Sequence, residues 1–234
     1  MNLLMKMPSI KTLAPRLVLA SAIVLVSTAA PAADTDLAPL PLKLPNAAFK
    51  GTPENIEITP HMEKPTGKPR PTFMAPKGVQ NVAAGKKVTA SDKSPMTGGP
   101  ELVTDGDKSA TDTTVMVMRR GTQWSQIDLG ADYAIYAVVI WHAHDSPKLY
   151  RDVVVQVADD PDFIDNVRTL YNNDYDNSSG LGIGNDKEYF ENNEGRLVDA
   201  KGVKARYLRC YSRGSTESAF NEYTEIEVWG LPAK

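Results

Sequence analysis

From about Gln80 to Gly230, short runs rich in Val, Ile and Tyr alternate with clusters of Gly, Asn, Asp and Ser. QIDLG, YAIYAVVIWHA, DVVVQVA, VKARYLRCYS and YTEIEVWG carry residues that suit a pleated, half-buried surface, and each predicts a strand. No stretch sustains a 3.6-residue period, and PDFIDNVRTLY supports at most one helical turn after Pro161. The pattern predicts an all-β domain over residues 79–234, of a length that suits one sandwich. Alternation along a strand assigns faces. Leu208 and Cys210 share one face with Arg206 nearer the strand end, while Tyr207, Arg209 and Tyr211 share the other, so Cys210 reads as a small core residue. Trp124 and Trp229 fall near strand boundaries, where core or interface packing is expected.

The first 32 residues follow a different pattern. MNLLMKMPSIKTLAPR carries Lys6, Lys11 and Arg16 without an acid, the apolar stretch LVLASAIVLVSTA follows, and Ala30-Pro31-Ala32 offers a cleavage site after Ala32. This predicts a signal peptide over 1–32. The apolar run falls short of the roughly 20 residues that span a bilayer. The mature chain is therefore expected to lack a transmembrane span and to be secreted or held in the periplasm or cell envelope. Residues 33–78 hold nine of the 17 prolines and no sustained period, which predicts a largely irregular, semi-rigid spacer. A second reading lays Leu40, Leu42, Leu44 and Phe49 along the domain as an extended arm.

Composition narrows the picture in two respects. Cys210 is the single cysteine, so the exported domain has no internal disulfide and depends on its core or on a metal. A net charge of −3 without a basic run argues against a nucleic-acid partner.

The order NVAAGKKVTASD, LVTDGDKSATD, WSQIDLG, VVVQVADDPDF, KARYLRCYS and YTEIEVWG resembles the successive landmarks of the discoidin, or coagulation factor 5/8 type C, family. The resemblance covers about residues 79–230. It implies a galactose-binding-like jelly-roll sandwich of eight strands, no catalysis, and recognition of glycans, or in some members phospholipid or protein, by loops at one end. It also implies a structural calcium at the Asp-Gly turn, carried by position onto Asp105, Asp107, Ser109 or Thr111, and Glu225. Calcium takes six to eight oxygens from carboxylates, hydroxyls and carbonyls, which such a turn supplies. The other reading of ELVTDGDKSATD is a polar turn with solvated acids. By position, the ligand contacts fall on His142 and His144, on the loop with Arg119 and Arg120, and on the RGSTESAFNEY loop with Arg213, Phe220 and Asn221.

Two further stretches carry candidate chemistry. YNNDYDNSSGLGIGNDKEYFENNEG places Asp174 and Asp176 in a D-x-D-x-S order, but Ser179 and Asn185 replace the glycine and glutamate of a calcium loop. A long polar loop over the sandwich is expected instead, with Tyr175, Tyr189 and Phe190 as possible contacts. In HAHD, His142 and His144 share a strand face and offer two imidazoles to a metal, but His61 is the only other histidine. The leading functional reading is a non-catalytic carbohydrate-binding or adhesion module. The alternatives are a module that binds another exported protein and, last, a metal-dependent hydrolase using HAHD.

Overall fold

The computed structural model describes residues 36–51 and 58–233, so the expected signal peptide lies outside the described residues. The described residues belong to one compact unit. Their strands are β1 (Leu37–Pro39), β2 (Met74–Pro76), β3 (Gln80–Asn81), β4 (Val88–Ala90), β5 (Met116–Met118), β6 (Gln123–His142), β7 (Val154–Ala158), β8 (Arg168–Asn172), β9 (Arg196–Ser212) and β10 (Asn221–Pro232). The strand path runs β3-β10-β6-β9-β7-β8, with β4 paired to β6 and β5 to β10. Every pairing between these strands is antiparallel.

Two long strands make the sandwich by passing through both layers. Pairing of β6 with β9 runs from Gln123↔Ser212 to Asp128↔Tyr207, breaks, and resumes from Tyr133↔Ala205 to Ile140↔Arg196. Gly130 lies in the break with φ 84°, a conformation that costs glycine little. One layer holds β4, β7 and β8 with the first part of β6 and the last part of β9. The other holds β3, β5 and β10 with the remaining parts. Ile127, Val138, Ile140, Val155, Leu208, Cys210 and Val228 are inaccessible between them. The five sequence-predicted strands all form, and QIDLG and YAIYAVVIWHA fuse into β6. Cys210 is a core residue as expected, and burial pushes its thiol pKa upward. Arg206 leaves the core side at the break and pairs with Asp128 through Nε–Oδ1 and Nη2–Oδ2 contacts of 2.8 and 2.9 Å.

Local chemistry overrides the helical reading after Pro161. The Asp160 carboxylate accepts hydrogen bonds from the backbone N–H groups of Asp162, Ile164 and Asp165, which closes a loop in competition with a helix. Phe163 and Asn166 take left-handed φ angles of 60° and 51°, and Arg168–Asn172 is a strand. A short 3-10 turn forms instead at Pro100–Thr104, where Val103 enters the core.

The described part of the proline-rich stretch lies against the sandwich. β1 pairs with β2, and Leu40, Ala75 and Val79 pack on Ala137, Val139, Trp141 and Trp229. Leu42 is partly buried there, whereas Leu44 is exposed. Both faces of the β6 segment around Val138–Trp141 are thus covered, the inner by the core and the outer by the arm. Arg70 fastens the far end: Nη1 and Nη2 donate to the carbonyls of Gly195 and Glu194 at 2.7 and 3.0 Å. At Gly195 a Cβ would lie 2.7 Å from the Trp141 ring, so only glycine admits this approach.

Candidate functional site

The Asp-Gly turn meets the last strand. Gly106, with φ 91°, donates its N–H to Glu225 Oε2 at 3.2 Å. A register shift in β10 between Tyr223 and Glu225 aims this side chain at the turn. Glu225 is inaccessible, and its Oε1 and the neighbouring Thr224 Oγ1 have no protein partner. Burial, with Glu227 and Asp105 nearby, pushes the Glu225 carboxyl up to about 8, although the Gly106 N–H and Lys108 oppose this.

The other side chains expected around a calcium ion turn to local partners. Asp105 Oδ1 accepts from the Asp107 N–H at 2.8 Å, Asp107 Oδ1 accepts from the Ser109 N–H and hydroxyl, and Thr111 Oγ1 lies against the hydroxyls of Thr113 and Thr114. The Asp105, Asp107 and Glu225 carboxylates do not converge. Among the described residues, the three acidic side chains whose oxygens lie within 4.8 Å of one another are Asp152, Asp174 and Asp176. At the turn, the unpartnered Glu225 oxygen is a group that a cation would satisfy. Lys108 ties this region together: its Nζ lies 2.6 Å from Glu227 Oε1, donates to the Lys43 carbonyl at 2.9 Å, and sits 5.1 Å from the Trp141 ring centroid.

Several expected ligand contacts are structural. His142 is inaccessible, stacked on Tyr150 at 4.2 Å and 15°, with Nδ1 3.0 Å from the inaccessible Glu191 Oε2. His144 is 2% exposed, with Nε2 2.8 Å from the Lys108 carbonyl. Both histidines are corrections to the sequence reading, because alternation turns His142 inward beyond Ile140 and the Asp-Gly loop closes over His144. Their separate partners also remove the HAHD metal set. Asn221 is a third correction. Its Oδ1 accepts from the Ser212 hydroxyl and Gly214 N–H, and its Nδ2 donates to the carbonyls of Arg119 and Gly121, which leaves no group for a ligand. Arg119 is committed to Asp92 at 2.6 Å and to the Ser94 carbonyl. Phe220 lies under Arg120, 5.4 Å from ring centroid to guanidinium.

The loops do enclose a site, of which Arg213 is part. A cavity of about 460 Å³ lies among the β6–β7, β8–β9 and β9–β10 loops and the segment Thr59–Met62. Leu149, Arg151 and Asp152 line it from the first loop, Tyr175, Asp176, Ser178, Glu188 and Phe190 from the second, and Arg213 and Thr216 from the third. The Arg213 N–H donates to the Arg151 carbonyl at 2.9 Å, which sets the two exposed arginines side by side. Hydrogen bonds hold the long loop beside the cavity. Asp174 is inaccessible and accepts from the Ser178 and Ser179 N–H groups at 3.0 and 2.9 Å and from the Ser179 hydroxyl. The Ser178 hydroxyl donates to Asp152 Oδ2. Burial raises the pKa of both Asp152 and Glu188, and neighbouring Asp174 and Asp176 add to the effect at Asp152. Tyr175 stands at the opening, 45% exposed and stacked on His61 at 3.9 Å and 13°. Tyr189, expected beside it, is buried under Arg196.

Sequence reading pointed to Tyr175, Phe190 and Arg213 and missed Arg151, Asp152 and His61. Arg151 and Asp152 fall at the start of the DVVVQVA run, just before β7, a place where loop residues face the sandwich end. His61 carries no local signal, because its role depends on a contact across 114 residues of chain.

The fold is an antiparallel, galactose-binding-like jelly-roll sandwich with a cavity of aromatic and polar walls at its loop end. Residues 102–210 match the F5/8 type C family model described as NedA-like, galactose-binding domain. Among solved structures, the carbohydrate-binding module of AlyQ in complex with 4,5-unsaturated mannuronic acid is 22% identical, over 61% of this chain and 92% of that one, with a TM-score of 0.44. Chitosan-binding module 1 from a Paenibacillus sp. IK-5 chitosanase/glucanase is 21% identical, over 64% and 99%, with a TM-score of 0.45. A Streptococcus pneumoniae fucose binding module is 18% identical, over 66% and 99%, with a TM-score of 0.44. Comparison with curated proteins gives no match. No helix among the described residues is long and apolar enough to cross a membrane.

Proposed function

We propose that this protein is an exported, non-catalytic glycan-binding module whose ligand enters the loop-end cavity. The observation that carries the reading is the cavity's composition. Tyr175 and Phe190 supply apolar faces, Arg151 and Arg213 supply forked donors, and Asp152, Asp176 and Glu188 supply acceptors, within one space of about 460 Å³. Small-ligand sites combine apolar area with a few directed polar groups in roughly 300–1,000 Å³. The match of residues 102–210 to a galactose-binding domain model supports the same reading. Ser178, the serine in this cavity, donates to Asp152 and has no histidine base as its partner, so the lining offers no activated nucleophile of the Ser–His kind. A structural calcium at Glu225 belongs to the proposal, held by the unpartnered Glu225 oxygen and main-chain oxygens of the Asp-Gly turn. Bound there, the ion would compensate the Glu225 charge and link the turn to the last strand.

A glycan array probed with the chain from Ala33 onward tests the reading. Binding to at least one oligosaccharide is expected, with affinity reduced at least tenfold in Tyr175→Ala. Absence of binding to any glycan at millimolar concentration turns the assignment to another exported protein as partner.

A further inference from the structure

We propose that the arm, through His61, forms one wall of the glycan site and contacts the ligand, so that recognition depends on residues outside the sandwich and outside the matched stretch 102–210. The inference rests on the reading of the loop-end cavity as a glycan site. Thr59, His61 and Met62 line that cavity opposite the sandwich loops. Their backbone is fixed independently of the imidazole. Met62 forms a parallel bridge with Glu188, the Glu188 N–H donates to the His61 carbonyl at 2.8 Å, and the Glu63 N–H donates to the Glu188 carbonyl at 2.8 Å. Lys187 Nζ donates to the Pro60 carbonyl at 2.8 Å, and Met62 is buried. The segment is therefore held as an added edge on the long loop that carries Tyr175.

This attachment leaves the imidazole free for another task. Among the described residues the His61 ring makes no hydrogen bond, and it is exposed. Its one aromatic contact is the near-parallel stack on Tyr175 at 3.9 Å. The stack covers one face of each ring and leaves the outer faces and the edges, with the imidazole nitrogens, to meet a sugar ring and its hydroxyl groups. An aromatic contact preset by the protein adds contact area without ordering a flexible side chain on binding. The charges around it are mixed, with Asp152, Asp176 and Glu188 beside Arg151 and Arg213 in the same lining. That balance suits an uncharged sugar ring with donor and acceptor hydroxyls.

The test uses the chain from Ala33 onward and the glycan that it selects on the array, measured by titration calorimetry. His61→Ala is expected to weaken affinity about three- to tenfold, the size of one aromatic contact, with an unchanged melting temperature because the backbone bonds of the segment persist. His61→Phe, which keeps a flat ring against Tyr175, is expected to retain most of the affinity. Unchanged affinity in His61→Ala, alongside loss in Tyr175→Ala, overturns the role of the arm and leaves the cavity assignment standing. Absence of glycan binding by the unmodified chain overturns both.

Discussion

At the scale of single residues, buried charge decides what the candidate positions do. His142 and Glu191 are both inaccessible and face each other at 3.0 Å. Removing the imidazole leaves Glu191 buried without this hydrogen-bond partner, a loss of about 1–3 kcal/mol. His142→Ala is therefore expected to lower unfolding free energy by that amount in urea denaturation, with little effect on any glycan affinity beyond that caused by unfolding. A surface role would give the reverse. Glu225 works in the opposite sense. Its carboxyl is pushed up to about 8 from an ordinary 4.5, so the fold disfavours the charged form. Without a cation, the stability contribution is fully present below the ordinary value and is lost as pH rises through about 8. In chelator, Glu225→Gln should melt above the unmodified protein at about pH 8.5 and no higher than it at about pH 5. Added calcium should raise the unmodified protein's melting temperature at the higher pH and leave Glu225→Gln unmoved, because that variant lacks the proposed carboxylate ligand. Superimposable pH profiles for the two proteins would remove Glu225 from the metal assignment.

At the scale of elements, what was legible in the sequence is what local pattern encodes. The strand runs are encoded by Val, Ile and Tyr, and the seating of Cys210 beside Leu208 by alternation. PDFIDNVRTLY misled because the Asp160 carboxylate captures three backbone donors, a contest that periodicity does not register. His142 misled because strand alternation does not say which face is inward until the layers are assembled. The arm was legible only as an alternative, yet the uninterrupted apolar run VVIW in β6 was a usable signal: a strand hydrophobic on both faces needs cover on both. Leu40 is the test of that cover, being 9% exposed and packed with Ala75, Val139 and Trp141. Leu40→Ala should cost about 2 kcal/mol, the low end for a buried leucine, and lower the melting temperature by roughly 4–8 °C for a domain of this size. A stand-off spacer would leave the melting temperature where it was.

At the scale of the whole molecule, the arrangement of charge constrains the class of glycan that the proposed site would take. The chain carries 26 basic and 29 acidic residues, a net charge of −3, so no strong overall field draws a charged polymer to it. Around the cavity the same near-balance recurs, with three carboxylates facing two guanidinium groups and the His61 imidazole. An acidic polysaccharide would meet Asp152, Asp176 and Glu188, while a polyamine sugar would meet Arg151 and Arg213. Hydroxyl groups satisfy both sets, since they donate to carboxylates and accept from guanidinium. Exposed charge interactions are screened as ionic strength rises, whereas stacking and buried hydrogen bonds change little. Affinity for the selected glycan is accordingly expected to change by less than about twofold between roughly 0.05 and 0.5 M sodium chloride, measured by calorimetry at constant pH. A drop of about tenfold over that range would instead mark a charged sugar held by one sign of the lining. Arg151→Ala and Asp152→Ala would then tell which sign it is, since only the variant that removes the attracting group would flatten the salt dependence.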